Sequence, residues 1–171
     1  MFTELFPIEG PWRGRLAISA RPRGGDWLEE ELLAWRRAGI DIVASLLEPE
    51  EAAVLELEQE QALCKASGIE FVAFPIRDRS VPALGVEVHG FLREMDSQLN
   101  RGKNVVVHCR QGVGRAGMIA AILLIEAGLN AEQAIHRVST ARRVPIPETL
   151  EQREWTESFA AAVAENPIAA N

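Results

Sequence analysis

The sequence predicts an α/β fold in which a mainly parallel central sheet carries helices on both faces. Short apolar segments typical of buried strands alternate along the chain with longer segments whose apolar residues recur at helical spacing. Parallel strands need crossover connections, which helices normally supply, so this alternation favours a parallel sheet that is covered on both sides. The predicted strands are Leu16–Ser19, Ile40–Leu47, Phe71–Phe74 and a segment that ends at Val105–Val107.

The first half of the chain predicts an irregular start followed by two helices. Residues 1–14 contain two prolines and two glycines and show little periodicity, so we expect an irregular lead-in there. Asp26 is expected to cap a helix that ends at Gly39. The acidic stretch 48–60 is expected to begin a second helix that runs to about Ser67, with its charges on a solvated face.

The second half predicts four further helices and a tail. Residues 118–125 are apolar on every side, as expected of a helix packed inside a domain. Asn130 and Gln133 form a possible capping box for a short helix that runs to about Ala141, and residues 165–171 are expected to fray. The other two helices have apolar stripes: Leu84, Val88, Phe91, Leu92, Met95 and Leu99 in one, and Trp155, Phe159 and Val163 in the other.

Composition limits the class of protein and its partners. A chain of 171 residues is long enough for one domain that buries about two thirds of its unfolded surface. The net charge of −7 argues against nucleic acid or an anionic membrane surface as a partner. Two cysteines in no scaffold-like spacing indicate a reducing compartment, and the first residues do not resemble a signal peptide. We therefore expect a single domain over residues 1–171 that works in the cytoplasm.

The run 108–117, which directly follows the last predicted strand, carries the chemistry. A strand, a loop with glycines at 112 and 114, and a buried helix aim several backbone N–H groups at one point, which makes an anion site. Cys109 opens this loop, and Arg115 follows after five intervening residues. A thiol at such a place ionises readily, and a guanidinium can hold two phosphate oxygens. The combination predicts phosphoryl transfer to cysteine.

These residues resemble a known signature. His108 and Cys109, five further residues and Arg115 resemble the signature loop of the cysteine-dependent protein tyrosine phosphatase superfamily. The glycines at 112 and 114 resemble its dual-specificity branch. The resemblance implies that the phosphate is held by Arg110, Gln111, Gly112, Val113, Gly114 and Arg115 through their backbone N–H groups and the Arg115 side chain.

The resemblance covers nearly the whole chain and includes one departure. The predicted order of elements agrees with the superfamily's α/β fold from Leu16 to about Val163. The family usually has Ser or Thr directly after the arginine, whose hydroxyl bonds to the cysteine sulfur and helps it leave. This chain has Ala116 at that position. We expect the change to affect turnover more than phosphate binding.

Asp78 is the candidate general acid. The family places this aspartate in a mobile loop before the cysteine, and Asp78 lies 31 residues before Cys109. It also follows the end of a predicted strand, where ligand sites of α/β proteins collect. Arg77 and Arg79 flank it, and nearby positive charge makes a carboxyl group a weaker acid. The alternative is a solvated carboxylate paired with these arginines.

Other candidates have two interpretations each. His108 either tunes the thiolate by hydrogen bonding or is a neutral core residue. Gln152 lies in a segment that resembles the one where relatives place a water-positioning glutamine, although an exposed helical glutamine is the alternative. Arg142 and Arg143 either line the rim of the pocket and meet a second anionic group or are surface charges. Cys64 follows a helical pattern and is a core residue, although some relatives protect the nucleophile by a disulfide with a second cysteine.

The sequence therefore predicts a phosphomonoester hydrolase that needs neither cofactor nor metal. The expected substrates are phosphorylated proteins, on tyrosine or on serine and threonine, or small phosphomonoesters. Phosphoinositides and RNA 5′-triphosphates are alternatives, which the acidic balance of the chain disfavours. A phosphate-binding pseudophosphatase is a second class of function, and a rhodanese-type sulfurtransferase would leave Asp78 unexplained. Oligomeric state is not readable from the sequence.

Overall fold

The computed structural model of the chain describes residues 1–83 and 85–166. Within these residues, five strands form one sheet. They are β1 (Phe6–Ile8), β2 (Leu16–Ser19), β3 (Ile42–Ser45), β4 (Glu70–Ala73) and β5 (Val105–His108). Their order is β1-β2-β5-β3-β4, in which β1 pairs antiparallel with β2 and all other neighbours pair in parallel. The predicted mainly parallel sheet is confirmed.

Helices connect most of the strands, and among the described residues three helices follow the last strand. The helices are α1 (Leu28–Arg37), α2 (Pro49–Val54), α3 (Glu60–Ala66), α4 (Val86–Asn100), α5 (Arg115–Glu126), α6 (Ala131–Arg142) and α7 (Leu150–Glu165). A short 3-10 helix, Gly25–Trp27, precedes α1. The predicted capping box of Asn130 and Gln133 is present at the start of α6. None of the helices in the described ranges is long and apolar enough to cross a membrane.

The central strand β5 shows how the helices are placed on both faces of the sheet. Val105 and Val107 belong to a core that includes buried residues of α4, α5, α6 and α7. Val106, which points to the opposite face because side chains alternate along a strand, belongs to a second core with α1 and α3. Each face of the strand is therefore buried, which explains why its sequence is continuously apolar.

The structure corrects the predicted lead-in at residues 6–8. Phe6 and Ile8 are buried and Pro7 between them is exposed, so the segment alternates as an edge strand does. Proline is tolerated at the edge of a sheet, where its missing N–H leaves no neighbour unpaired. The prolines and glycines nearby hid this short alternation.

The acidic stretch also departs from the prediction, since it forms two helices instead of one. Glu56 has a left-handed φ of 56° directly after α2, which ends the helix. The turn lets Leu57 reach the second core, where it is 2% exposed. The free energy gained by burying the Leu57 side chain thus outweighs the free energy gained by continuing the helix. Asp26 lies within the 3-10 helix and makes no capping hydrogen bond.

Two expectations fall partly outside the described residues. Leu84 was expected on the apolar stripe of α4 and is not among them, whereas the stripe from Val88 to Leu99 is buried as predicted. The expected frayed tail begins within α7, which ends at Glu165, and residues 167–171 are not described.

Candidate active site

The signature loop joins β5 to α5 at the carboxyl end of the parallel strands. Cys109 is 3% exposed, and its Sγ accepts a hydrogen bond of 3.3 Å from the backbone N–H of Gly112. Gly112 has a left-handed φ of 69°, and a Cβ added to it would overlap the backbone of Ser19. Position 112 therefore requires glycine on both conformational and steric grounds. The loop bends tightly enough to bring the Gly112 N–H back to the sulfur.

The remaining loop residues surround the same point. Arg110 and Gln111 are exposed, whereas Val113 is half-buried against the first core. A Cβ on Gly114 would lie 3.0 Å from the Gln152 side chain, so the loop and the start of α7 are in close contact. The structure thus brings the predicted phosphate-binding segment against a second predicted site residue.

Arg115 is the first residue of α5, and only 1% of its surface is exposed. Its Nη1 donates to Glu51 Oε2 at 2.7 Å and to the Ile76 carbonyl at 2.9 Å. Its Nη2 donates to Glu51 Oε1 at 2.9 Å and to Asp78 Oδ1 at 3.0 Å. The guanidinium is therefore held in one orientation by acceptors from two segments of chain, α2 and the loop that follows β4.

The charges of this cluster stabilise one another. Burial alone would lower the pKa of Arg115, but the Glu51 hydrogen bond and the charges of Cys109, Glu51 and Asp78 raise it above its ordinary value. Burial alone would raise the pKa of Glu51, but the bond from Arg115 and a backbone N–H hold it below its ordinary value. Arg115 and Glu51 consequently form a buried ion pair.

Asp78 reaches the site from the loop that follows β4. Its side chain is 44% exposed and accepts from Arg115 Nη2. The flanking Arg79 turns away in a left-handed conformation, with φ 59°, and pairs with Glu148 at 2.7 Å. Among the described residues, Asp78 is therefore paired with the site arginine and not with Arg79. The loops that carry Asp78 and Cys109 both follow the carboxyl ends of parallel strands, and both residues lie near the Arg115 guanidinium.

Gln152 lies at the start of α7 and is fully buried. Its Nε2 donates to the Ser80 carbonyl at 3.1 Å, and its Oε1 accepts from the Thr149 N–H at 3.2 Å. The exposed helical glutamine that was the alternative interpretation is wrong. The residue instead joins the start of α7 to the Asp78 loop, beside Gly114 of the signature loop.

His108 is fully buried at the end of β5. Its Nε2 lies 2.8 Å from Glu60 Oε1, and its Nδ1 lies 3.4 Å from the Cys109 carbonyl. Glu60 is itself 2% exposed. The imidazole is thus fixed between a carboxylate of α3 and the backbone of Cys109.

Cys64 lies on the other side of the sheet. It is fully buried in the second core, whereas Cys109 belongs to the first, and both thiols are free. Burial, with a smaller effect of Glu60, raises the pKa of the Cys64 thiol to about 12. The structure supports the interpretation of Cys64 as an inert core residue.

Sequence reasoning missed Glu51 and Glu60, which it assigned to a solvated charge run. Both carboxylates point inward, one to Arg115 and one to His108. A local signal marked the helix start beside Glu51, since Glu48 and Glu51 form a capping box and Pro49 occupies the first helical position. Arg142, expected at the pocket rim or on the surface, is half-buried and donates to two carbonyls of the signature loop.

Within residues 1–83 and 85–166, no group of three or more His, Cys, Asp or Glu side chains is arranged to hold a metal ion.

The fold and this loop place the chain in a class, the cysteine-based protein tyrosine and dual-specificity phosphatase superfamily. A family model described as "Polymorphic toxin system, DSP-PTPase phosphatase" matches residues 19–129, which is more than half of the chain. The chain therefore belongs to that family. The matched region runs from the end of β2 to just beyond α5, so it contains the signature loop, Asp78 and Glu51.

Curated relatives agree with this assignment. The chain is 34% identical to protein tyrosine phosphatase type IVA 3 of Bos taurus over 92 residues, which are 53% of each protein. It is 28% identical to protein tyrosine phosphatase PRL-1 of Leishmania major over 109 residues, covering 58% of this chain and 61% of that protein. The chain matches about half the length of the type IVA relative.

Solved structures share the fold. Kinase associated phosphatase, crystallised with its catalytic-site cysteine substituted by serine, superposes with a TM-score of 0.87 at 19% identity over 95% of this chain and 96% of that one. The active form of Tk-PTP superposes with a TM-score of 0.73 at 28% identity, over 86% and 92% of the two chains. The likeness extends beyond the region that the family model matches.

Proposed function

We propose that the protein is a phosphomonoester hydrolase of the protein tyrosine or dual-specificity type that works through a cysteinyl-phosphate intermediate. The observation that supports it best is the convergence of three groups at one sheet edge. These are the Cys109 sulfur bonded by a loop N–H, the buried Arg115 guanidinium, and the Asp78 carboxylate 3.0 Å from that guanidinium. Family membership and the named phosphatase relatives point the same way.

The edge of the Arg115 guanidinium formed by Nε and Nη2 is the one that Glu51 leaves open to phosphate. Glu51 occupies the edge formed by Nη1 and Nη2, and no residue in the described ranges accepts from Nε. A phosphate that binds the edge formed by Nε and Nη2 would accept the hydrogen bond from Nη2 that Asp78 now accepts. Substrate binding would thereby free the Asp78 carboxylate from Arg115, so that it can take up a proton from solvent and serve as the acid.

In the first step, the Cys109 thiolate attacks phosphorus, forms a P–S bond and breaks the bond to the ester oxygen. Protonated Asp78 gives its proton to that oxygen, so the leaving group departs as a neutral alcohol or phenol. The charge on the equatorial oxygens is stabilised by Arg115 and by the N–H groups of residues 110–115.

In the second step, water attacks the phosphorus of the intermediate and the P–S bond breaks. Asp78, now a carboxylate, takes the proton from the water, and Gln152 positions that water from the start of α7. The thiolate leaves with the Gly112 N–H as its hydrogen-bond donor, because position 116 is a fully buried alanine without a hydroxyl. His108, held by Glu60, orients the backbone at Cys109.

The proposed substrates are phosphorylated proteins or small phosphomonoesters, and the proposed site needs neither metal nor cofactor. A pocket that accepts phosphotyrosine as well as phosphoserine and phosphothreonine follows from the resemblance to the dual-specificity branch. Residues 1–171 are proposed to act as a single phosphatase domain, because α6 and α7 supply Arg142 and Gln152 from outside the matched family region. The two free thiols fit a reducing compartment such as the cytoplasm.

A phosphate-binding pseudophosphatase is the second candidate, and Ala116 is the observation that favours it. Without the usual hydroxyl, the thiolate is a poorer leaving group, so breakdown of the intermediate is the step at risk. Anion binding would be retained, since Arg115 and the loop N–H groups do not depend on residue 116.

The deciding experiment is rapid-quench hydrolysis of para-nitrophenyl phosphate by the full chain. Wild type, Cys109→Ser and Asp78→Asn are compared, with Cys64→Ala as a matched control for loss of a thiol. The phosphatase requires turnover that Cys109→Ser abolishes and Cys64→Ala retains. A single stoichiometric burst would favour the pseudophosphatase. Turnover that survives Cys109→Ser would refute both.

A further inference from the structure

We propose that Arg142 is a positioning residue that sets two peptide planes of the signature loop and so aims their N–H groups at the sulfur and the bound phosphate. This inference rests on the proposed function, because it assigns to Arg142 a part in the same anion site. Arg142 is the last residue of α6, and its hydrogen bonds go to carbonyls of the loop and not to the sulfur.

Its guanidinium bonds to the outer side of the loop. Nε donates to the Gly112 carbonyl at 3.1 Å, and Nη2 donates to the Gln111 carbonyl at 3.1 Å. A loop that turns its N–H groups inward must turn its carbonyls outward, and those carbonyls need donors. A single planar cation supplies two of them with the fixed spacing that its geometry imposes.

The geometry of the peptide bond transmits this contact to the nucleophile. The Gln111 carbonyl and the Gly112 N–H belong to one trans peptide unit, so they point in opposite directions. Holding that carbonyl outward directs the Gly112 N–H inward, where it donates to Cys109 Sγ at 3.3 Å. Holding the Gly112 carbonyl outward directs the Val113 N–H inward in the same way.

The contact also has an electronic effect. A cation that bonds to a carbonyl polarises the peptide unit and makes its N–H a stronger donor. The Gly112 N–H is also the donor that remains to stabilise a departing thiolate when residue 116 lacks a hydroxyl. Arg142 therefore acts on both the formation and the breakdown of the proposed intermediate.

Arg142 is itself held in place from the opposite side. Its guanidinium lies over the Phe6 ring of β1, with the central carbon 4.1 Å from the ring centroid. Stacking on an aromatic face and bridging two carbonyls both require a planar guanidinium, so lysine is not an equivalent residue. The antiparallel edge strand that sequence analysis missed thus supports the loop through this stack.

The adjacent Arg143 provides a control with nearly the same surroundings. It pairs with Glu4, and its guanidinium lies 5.3 Å from the centroid of the same Phe6 ring. It makes no hydrogen bond to the loop among the described residues. A substitution of Arg143 changes charge and stacking in this region but leaves the loop carbonyls bonded.

The test measures the affinity for an anion and the reactivity of the Cys109 thiol, neither of which requires turnover. Tungstate, a tetrahedral dianion, is titrated calorimetrically into wild type, Arg142→Lys, Arg142→Ala and Arg143→Ala, and the rate of Cys109 alkylation by iodoacetamide at pH 7 is measured for each. We expect Arg142→Lys and Arg142→Ala to weaken tungstate binding about tenfold or more and to slow alkylation, as the loss of a charge-assisted bond implies. Arg143→Ala should change both by less than about twofold.

Added guanidinium ion separates positioning from a general loss of stability. It should restore tungstate binding to Arg142→Ala and have no effect on Arg143→Ala. Unchanged tungstate binding in both Arg142 variants, or an equal loss in Arg143→Ala, would overturn the proposal. If wild type bound tungstate but hydrolysed no phosphate ester, the proposed hydrolase would fail while the role of Arg142 was still measured. Arg142→Lys keeps the aliphatic stem and remains informative if Arg142→Ala does not fold.

Discussion

Replacing Glu51 with glutamine tests how much the orientation of Arg115 depends on its half-buried partner. Glu51 Oε2 accepts from Arg115 Nη1 and from the Glu48 N–H, and Oε1 accepts from Arg115 Nη2. Glutamine has the same shape and also serves in a capping box, so α2 is retained. Its amide offers only one oxygen, and its NH₂ group would face a guanidinium that has only donors.

The size of the effect follows from the bonds that are lost. Glu51→Gln removes one charge-assisted hydrogen bond to a fully buried guanidinium, and such bonds are worth about 1.5–3 kcal/mol. Among the described residues, Asp78 would then be the only carboxylate paired with Arg115, so it would compete more strongly with phosphate. We expect kcat/KM for an aryl phosphate to fall about 10- to 150-fold, and the free energy of unfolding to fall by about 1.5–3 kcal/mol.

The assay compares steady-state hydrolysis and urea unfolding of Glu51→Gln with those of Glu50→Gln. Glu50 occupies the preceding, exposed position of the same helix, so its substitution makes the same change in charge without touching Arg115. If Glu51→Gln left kcat/KM within twofold of wild type, or if Glu50→Gln lowered it equally, the reasoning about Arg115 would be wrong.

The remaining predictions concern pH, turnover and thiol reactivity. The folded-state pKa of Glu51 is lowered, so its contribution to stability is present above the unfolded value of about 4.5 and is lost as pH falls through the lower folded value. The difference in unfolding free energy between wild type and Glu51→Gln should therefore shrink below pH 4.5. A difference that stayed constant with pH would contradict this. Ala116→Ser should speed breakdown of the intermediate and raise kcat with little change in tungstate affinity, measured by rapid quench; an unchanged kcat would mean that another step limits turnover. Iodoacetamide at pH 8 should label Cys109 in the native protein and Cys64 only after denaturation, since burial raises the pKa of Cys64 to about 12. Labelling is followed by peptide mass spectrometry, and rapid labelling of Cys64 in the native protein would refute its assignment to the core.

The parts of the site that sequence could predict are those coded locally. Cys109, Arg115 and the glycines between them lie within one short segment, where strand, turn and helix signals specify the geometry directly. The alternation of apolar segments likewise predicted the parallel sheet, because burial on both faces leaves a continuous apolar signature in each central strand.

The parts that sequence missed depend on contacts between distant residues. Glu51 lies 64 positions from Arg115 and Glu60 lies 48 from His108. The capping box at Glu48 and Glu51 marks the start of a helix, but no local pattern indicates that either carboxylate contacts a distant site residue. The break at Glu56 was hidden for a similar reason, since it follows from the burial of Leu57 in a core formed by other elements. Helix propensity alone favours continuation there.

The separation of the two cysteines has a consequence for oxidative damage. They are the only cysteines in the sequence, and the sheet lies between them. A sulfenic acid formed on Cys109 by peroxide would therefore have no partner thiol within the chain with which to condense. Its recovery would depend on an external thiol such as glutathione, and without one the sulfur would advance to the irreversible sulfinic state. Inactivation by peroxide should accordingly be reversible only when a reductant is supplied early.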